Sequence, residues 1–255
     1  MTIETPPNPT EVAGPLTTGQ AGQSQSSLSR RINYWFENHW LLTFNTGWGI
    51  FVTLPWLAPI FMALNLPALS RAVYFIYNFF CHQLPERSWF LFGPQFSYGQ
   101  LQIAEGLNVT LLDISNELVR RQIIGTPALG WKVAWSDRMV SMYTSIFLFG
   151  LLYALLRQWG FRFKPIAWWV FLLFVVPMAL DGTTHLINDV LRLDFRQTNT
   201  WAMVLTGNIF PTWFYIDDMF GSLNSMLRLV TGVLFGFGVV AFMWPLMDDE
   251  FSPRR

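Results

Sequence analysis

Four stretches of the chain are almost uninterrupted apolar sequence, and the polar residues between them gather into dense clusters. A hydrocarbon core of about 30 Å takes about 20 helical residues to cross. Residues 41–64 and 139–156 are broken only by small residues, Thr, Asn, Tyr and Pro, and 227–247 carries the single charge of Arg228 and ends at Asp248, Asp249 and Glu250. Each predicts a crossing, and 165–180 becomes one when its neighbours join it. The expected fold class is all-α, a polytopic membrane helix bundle with about four transmembrane helices, an amphipathic interfacial helix and a small extramembrane lid. Its parts are a disordered tail over 1–29, a membrane domain over 30–247 with outer loops 65–138 and 181–226, and a C-terminal tail over 248–255.

The polar segments refine this picture. Residues 3–29 are rich in Pro, Thr, Ser, Gln and Gly, without the apolar stretch of a signal peptide. Tyr74, Asn78, Cys81 and His82 share one face of a helical wheel and Val73, Ile76, Phe79 and Phe80 the other. That spacing predicts an amphipathic helix over Ala72–Leu84, stopped by Pro85 and either lying in the membrane interface or re-entrant. Thr110 is placed to cap a lid helix reaching Ile124, where Gly125 and Pro127 end it.

Composition agrees with lipid as solvent: 52% of residues are hydrophobic and 13% charged, mean hydropathy is +0.33, and there are 13 Trp and 24 Phe. Lys and Arg number 16 against 16 Asp and Glu, so no basic field points to nucleic acid as a partner. Cys81 is the single cysteine, which excludes an internal disulfide and a zinc site built mainly of thiolates. Arg30 and Arg31, the loop holding Arg157, Arg162 and Lys164, and the terminal Arg254 and Arg255 fall on one side of a four-crossing chain. The positive-inside rule makes that side cytoplasmic, with both termini there in a multi-pass protein of the cell membrane.

Three clusters carry candidate chemistry. Cys81-His82-Gln83-Leu84-Pro85-Glu86-Arg87-Ser88 reads as a turn network in which Glu86 and Arg87 pair locally, or as part of a metal site. Asp181, Thr184, His185, Asn188, Asp189 and Arg192 recur at steps of three and four. They draw a polar stripe if the helix continues past Gly182: a solvated or packing face, or a metal pair at Asp181 and His185. Arg138 and Arg228 stand near the starts of the second and fourth crossings, with Asn224 one turn before Arg228. Each arginine either pairs with Asp181 or snorkels to phosphate headgroups. Gly232-Val233-Leu234-Phe235-Gly236 allows close helix contact. A divalent metal held by Cys81, His82, Asp181 and His185 is the cofactor these clusters would take.

In order, Cys81-His82-Gln83 with Pro85-Glu86-Arg87-Ser88, Arg138 with Tyr143, Asp181-Gly182, and Asn224 with Arg228 and Thr231-Gly232 resemble the DUF2085 family of bacterial and archaeal membrane proteins, from about Tyr74 to Gly236. The resemblance implies a multi-pass membrane protein of unassigned activity. Members of that family carry a Cys-x-Arg-Cys cluster where this chain has Ser136, Arg138 and Met139, so both thiols are replaced. No nucleophile, base and orienting group fall together, so the sequence leans away from an enzyme. Two functional classes stay open. One is a structural or accessory component of a membrane assembly, stabilised by a polar network of Glu86, Arg87, Arg138, Asp181, Asn224 and Arg228, with the lipid bilayer and other membrane-protein subunits as partners. The other is a metal- or small-anion-binding protein with its site at the outer mouth of the bundle.

Overall fold

The structure is a computed structural model that describes residues 27–191 and 193–251. Most of the tail expected over 1–29, Arg192 of the polar stripe and the end of the C-terminal tail lie outside the described residues. Helix α1 spans Ser27–Ala63 and α2 Pro67–Asn78. Strand β1 (Ser88–Leu91) then leads to α3 (Gln100–Leu107), α4 (Glu117–Gln122), β2 (Gly125–Thr126) and β3 (Gly130–Ser136). Helices α5 (Asp137–Gln158), α6 (Trp168–Leu191), α7 (Phe195–Thr198), α8 (Thr200–Leu205), α9 (Thr212–Ile216) and α10 (Leu223–Phe251) complete the described chain.

The protein is an all-α membrane helix bundle in which, among the described residues, 4 helices, α1, α5, α6 and α10, are long and apolar enough to cross a membrane. The remaining elements form a polar cap where α1 ends, α5 begins, α6 ends and α10 begins. Helices α5 and α10 make the central pair. Gly232 and Gly236 lie so close to Ser141 and Ser145 that a Cβ at either glycine would collide with the serine hydroxyl. The Ser141 hydroxyl donates to Arg228 O at 3.3 Å and that of Ser145 to Gly232 O at 3.4 Å, giving apolar helices a polar link. Helix α6 packs on the other side of α10 through stacked Phe171 and Phe242, 5.0 Å between ring centroids.

Two helix prolines tie elements together. A proline deprives the carbonyl four residues earlier of its N–H partner. Pro55 frees Phe51 O, to which the Tyr77 hydroxyl of α2 donates at 2.7 Å. Pro245 frees Ala241 O, which accepts from Ile166 N at 3.3 Å in the connection before α6. Helix α2 is also held to α1 by the Ser70 hydroxyl, which donates to Ala58 O at 2.8 Å.

Several boundaries differ from those the sequence predicts. Helix α6 does not end near residue 180 but continues to Leu191, because Asp181, His185 and Asn188 turn inward to buried positions. Helix α10 runs to Phe251, into the expected tail, and Asp248 is buried beside Arg157, 2.6 Å from it. The interfacial helix expected over Ala72–Leu84 is shifted: Pro67 in the first turn suits its start and it stops at Asn78, so Cys81 and His82 lie beyond it. The lid helix expected over Thr110–Ile124 is a short α4 capped by Asn116, whose Oδ1 accepts from Leu118 N at 2.9 Å. Thr110 instead donates to Asp113 Oδ2 at 2.7 Å in a turn.

The cap also holds a three-stranded antiparallel sheet, order β1-β3-β2, that the apolar pattern does not reveal. Strand β3 is covered on both faces, so it lacks the alternation that marks a half-buried strand. Trp135 of β3, fully buried, packs against Phe51, Tyr77 and Tyr143 with ring centroids 5.1 to 5.2 Å away and joins the sheet to α1, α2 and α5.

Candidate functional site

The polar cap meets the long helices through charged side chains that are buried or half-buried, and removing one member of a buried pair is far costlier than losing a surface pair. Arg228, 2% exposed, is at the centre. Its Nε donates to Asp137 Oδ1 at 2.8 Å, its Nη1 to Asp218 Oδ1 at 2.8 Å, and its Nη2 to Asp218 O at 2.7 Å. Asp137 occupies the first turn of α5, where a carboxylate meets the positive end of the helix dipole. Its second oxygen accepts from the Ser225 hydroxyl at 2.8 Å. Arg87 continues the chain of charge, with Nε 3.0 Å from Asp218 Oδ2. Burial alone would push the Asp218 carboxyl up, but Arg87 and Arg228 together hold it below the usual carboxylate range.

A second group forms around Asp181. Arg138 Nη2 donates to Asp181 Oδ2 at 2.6 Å, and Arg196 of α7 donates to Oδ1. His185 lies one turn along the same helix, its Nε2 3.9 Å from Asp181 Oδ1. Asn188 and Asn224 hold α7 in place: Arg196 N donates to Asn188 Oδ1 at 3.0 Å, and Asn224 Nδ2 to Arg196 O at 3.0 Å. Burial draws the Arg196 guanidinium below its ordinary value, against the pull of Asp181.

Glu86, 1% exposed, accepts from Arg120 Nε at 3.1 Å and from Gln100 Nε2 at 3.4 Å, both on Oε1. Burial pushes its carboxyl up, and Arg120 and then Arg87 offset that shift in part. The fully buried Lys132 donates from Nζ to Gln83 O at 2.5 Å and to Arg121 O at 3.1 Å. Its position in the interior pushes its pKa down to about 7.

Of the two arginines expected as partners of Asp181, Arg138 takes that place, and the other pairings differ from expectation. Arg138 meets Asp181, whereas Arg228 answers Asp137 and Asp218. Glu86 pairs with Arg120 instead of with its neighbour Arg87. Both arginines turn to carboxylates of the protein, so neither is a headgroup-seeking side chain. The shared metal site of Cys81, His82, Asp181 and His185 is not formed. No group of three or more His, Cys, Asp and Glu among the described residues is arranged to hold a metal ion. The physical reason is the early end of α2. It leaves the His82 side chain exposed and seats the Cys81 thiol against Ser136, donating to Oγ at 3.4 Å.

Asp137, Asp218, Arg120, Arg196 and Lys132 escape the sequence reading. An acid opening an apolar helix marked Asp137, and the Asp217-Asp218 pair just before the fourth crossing marked Asp218. Nothing local announces partners 91 residues apart, as Asp137 and Arg228 are.

Some of these groups wall a cavity of ≈ 990 Å³ between the cap and the ends of α6 and α10. Glu86, His185, Asn188, Arg196, Asp218 and Asn224 contribute to its lining. Three of its buried side chains carry atoms without a hydrogen-bond partner: Glu86 Oε2, His185 Nε2 and Arg196 Nε.

Comparison with known proteins agrees with a membrane protein and assigns it no activity. The family model described as a predicted membrane protein, DUF2085, matches residues 127–217, which take in β3, α5, α6 and the cap segment up to α9. An uncharacterized protein of Methanocaldococcus jannaschii is 24% identical over 205 residues, covering 78% of this chain and 87% of its own. No solved structure matches.

Proposed function

We propose that this protein is a non-enzymatic component of an assembly in the cell membrane, a four-span scaffold that presents a rigid polar cap on the outer side with both termini in the cytoplasm. The observation that carries this reading is α6. Its polar end is fastened to α5 and α7 through Asp181, yet only 11% of its most apolar window is buried within the chain. Trp168, Trp169, Leu172, Leu173 and Val176 point away from the rest of the protein. An edge helix held so firmly at one end and left so bare along its length suits the apolar face of a neighbouring subunit as well as lipid. The charge distribution supports the orientation: Arg162 and Lys164 lie in the connection at the end of the bundle remote from the cap, without an acidic residue between α5 and α6. The cap's buried charges Glu86, Asp137, Asp181, Arg196 and Arg228 are paired, as suits a structural network.

A photo-reactive amino acid at Leu173, activated in intact cells, tests this function. The scaffold reading predicts a covalent adduct with a second membrane protein that survives denaturing electrophoresis. Adducts with lipid alone, together with a monomer-sized species in mild detergent, would refute it.

A further inference from the structure

The cavity under the cap has a charge character that the scaffold role does not use. Six carboxylates line it, those of Glu86, Glu117, Asp189, Asp194, Asp217 and Asp218, against the guanidinium groups of Arg87, Arg120 and Arg196 among the described residues. The three arginines are already committed. Arg87 is held by Asp218, Arg120 by Glu86, and Arg196 by Asp181 outside the lining. Among the described residues Glu117 and Asp194, both exposed, make no ion pair, and Asp217 Oδ1 accepts only from the backbone, Asp218 N at 2.7 Å and Met219 N at 3.3 Å. The cavity thus keeps a surplus of negative charge.

An excess of surface carboxylates by itself is satisfied by water. The second observation lies deeper: Glu86 is 1% exposed, and its Oε2 has no donor although Oε1 has two. A buried carboxylate oxygen left without a donor is costly, and a ligand N–H reaching it from the cavity removes that cost. His185 Nε2, buried and without a hydrogen-bond partner in the same lining, offers a further acceptor when its other ring nitrogen carries the proton.

Size and donor set separate the ligand classes. A space of ≈ 990 Å³ is in the range of pockets for small organic molecules, about 300–1,000 Å³, and far exceeds one ion. The described residues gather no metal-ligating group of three. An anion would meet the carboxylate surplus, with Arg87 and Arg120 engaged by carboxylates and Arg196 left a single Nε–H to offer beside its bond to Asp181. We propose that the cavity binds a small organic amine, its ammonium group donating to Glu86 Oε2 while the Asp194 and Glu117 carboxylates at the rim supply the surrounding negative field. The ammonium could arrive on a diffusible amine or on an ethanolamine lipid headgroup.

Isothermal titration of the full-length protein in detergent, with putrescine and spermidine as probes and glutamate and Mg²⁺ as comparators, tests the site. Saturable binding of an amine is expected, with none for glutamate. The Asp194→Asn, Glu117→Gln double variant removes no ion pair and should weaken amine binding about tenfold; Glu86→Gln, if it folds, should abolish it. Repeating the titration in nanodiscs of phosphatidylglycerol, with or without phosphatidylethanolamine, separates the two sources. Loss of putrescine affinity only in the presence of phosphatidylethanolamine supports the headgroup, and unchanged affinity supports a diffusible amine. Absence of saturable amine binding in detergent and in phosphatidylglycerol discs would overturn the proposal. So would affinity unchanged in the Asp194→Asn, Glu117→Gln variant, or saturable binding of Mg²⁺ without binding of either amine.

Discussion

Replacing Arg228 by Leu removes three hydrogen bonds in one step, two to Asp218 and one to Asp137. The consequences for the two carboxylates differ. Asp218 keeps Arg87 at 3.0 Å, so it retains a counter-ion. Asp137, 2% exposed, keeps only the Ser225 hydroxyl and its own helix N-terminus. Breaking a buried pair from one side costs about 3–5 kcal/mol, because the remaining charge stays desolvated. Arg162, exposed in the connection between α5 and α6, makes no such pair, and its replacement should change stability little. Unfolding of the purified protein in mixed micelles of rising denaturing-detergent fraction, followed by tryptophan fluorescence, compares the two variants directly. Arg228→Leu should unfold at a much lower fraction than Arg162→Leu. The double variant Arg228→Leu, Asp137→Leu should recover much of the loss, since it removes the stranded charge as well. Equal shifts for Arg228→Leu and Arg162→Leu, or a double variant as unstable as the sum of its parts, would refute the argument.

Two further outcomes follow from the cap. Lys132 titrates at about 7 in the folded protein and near its ordinary, higher value when unfolded, so the unfolded chain binds more protons between these values. Stability contributed through this residue therefore rises with pH above about 7; in Lys132→Met, melting temperature against pH should lose that rising component, and an unchanged slope would contradict the buried position. Ser136→Cys places a second thiol where the Cys81 thiol already lies 3.4 Å from a hydroxyl, so mild oxidation should lower the intact mass by two hydrogens and raise the melting temperature. Persistence of two free thiols under oxidant would show that the turn at Cys81 is not held against β3.

What the sequence could and could not reveal follows from the range of the interactions. Apolar run length alone located α1, α5, α6 and α10, since in lipid each spanning segment must satisfy its own backbone. The polar stripe of α6 was readable because Asp181, His185 and Asn188 repeat at helical spacing. What determines whether such a stripe is solvated or buried lies elsewhere, on Arg138 and Arg196. Sheet pairing between Ser88 and Ser136 has the same long-range character, and the two-sided cover of β3 erased its local signature. The stop signal at Pro85 predicts a helix that includes Cys81 and His82, whereas the chain leaves α2 at Asn78.

The scaffold proposal places the cap of the four-span bundle outside the membrane and the connection between α5 and α6 inside. Single cysteines at Leu112 in the cap and Arg162 in that connection, each in a Cys81→Ser background, can be challenged with a membrane-impermeant maleimide in cells whose surface membrane is intact. The account predicts labelling at Leu112 in intact cells and at Arg162 only after permeabilisation. Labelling of both from the same side, or the reverse order, would contradict it.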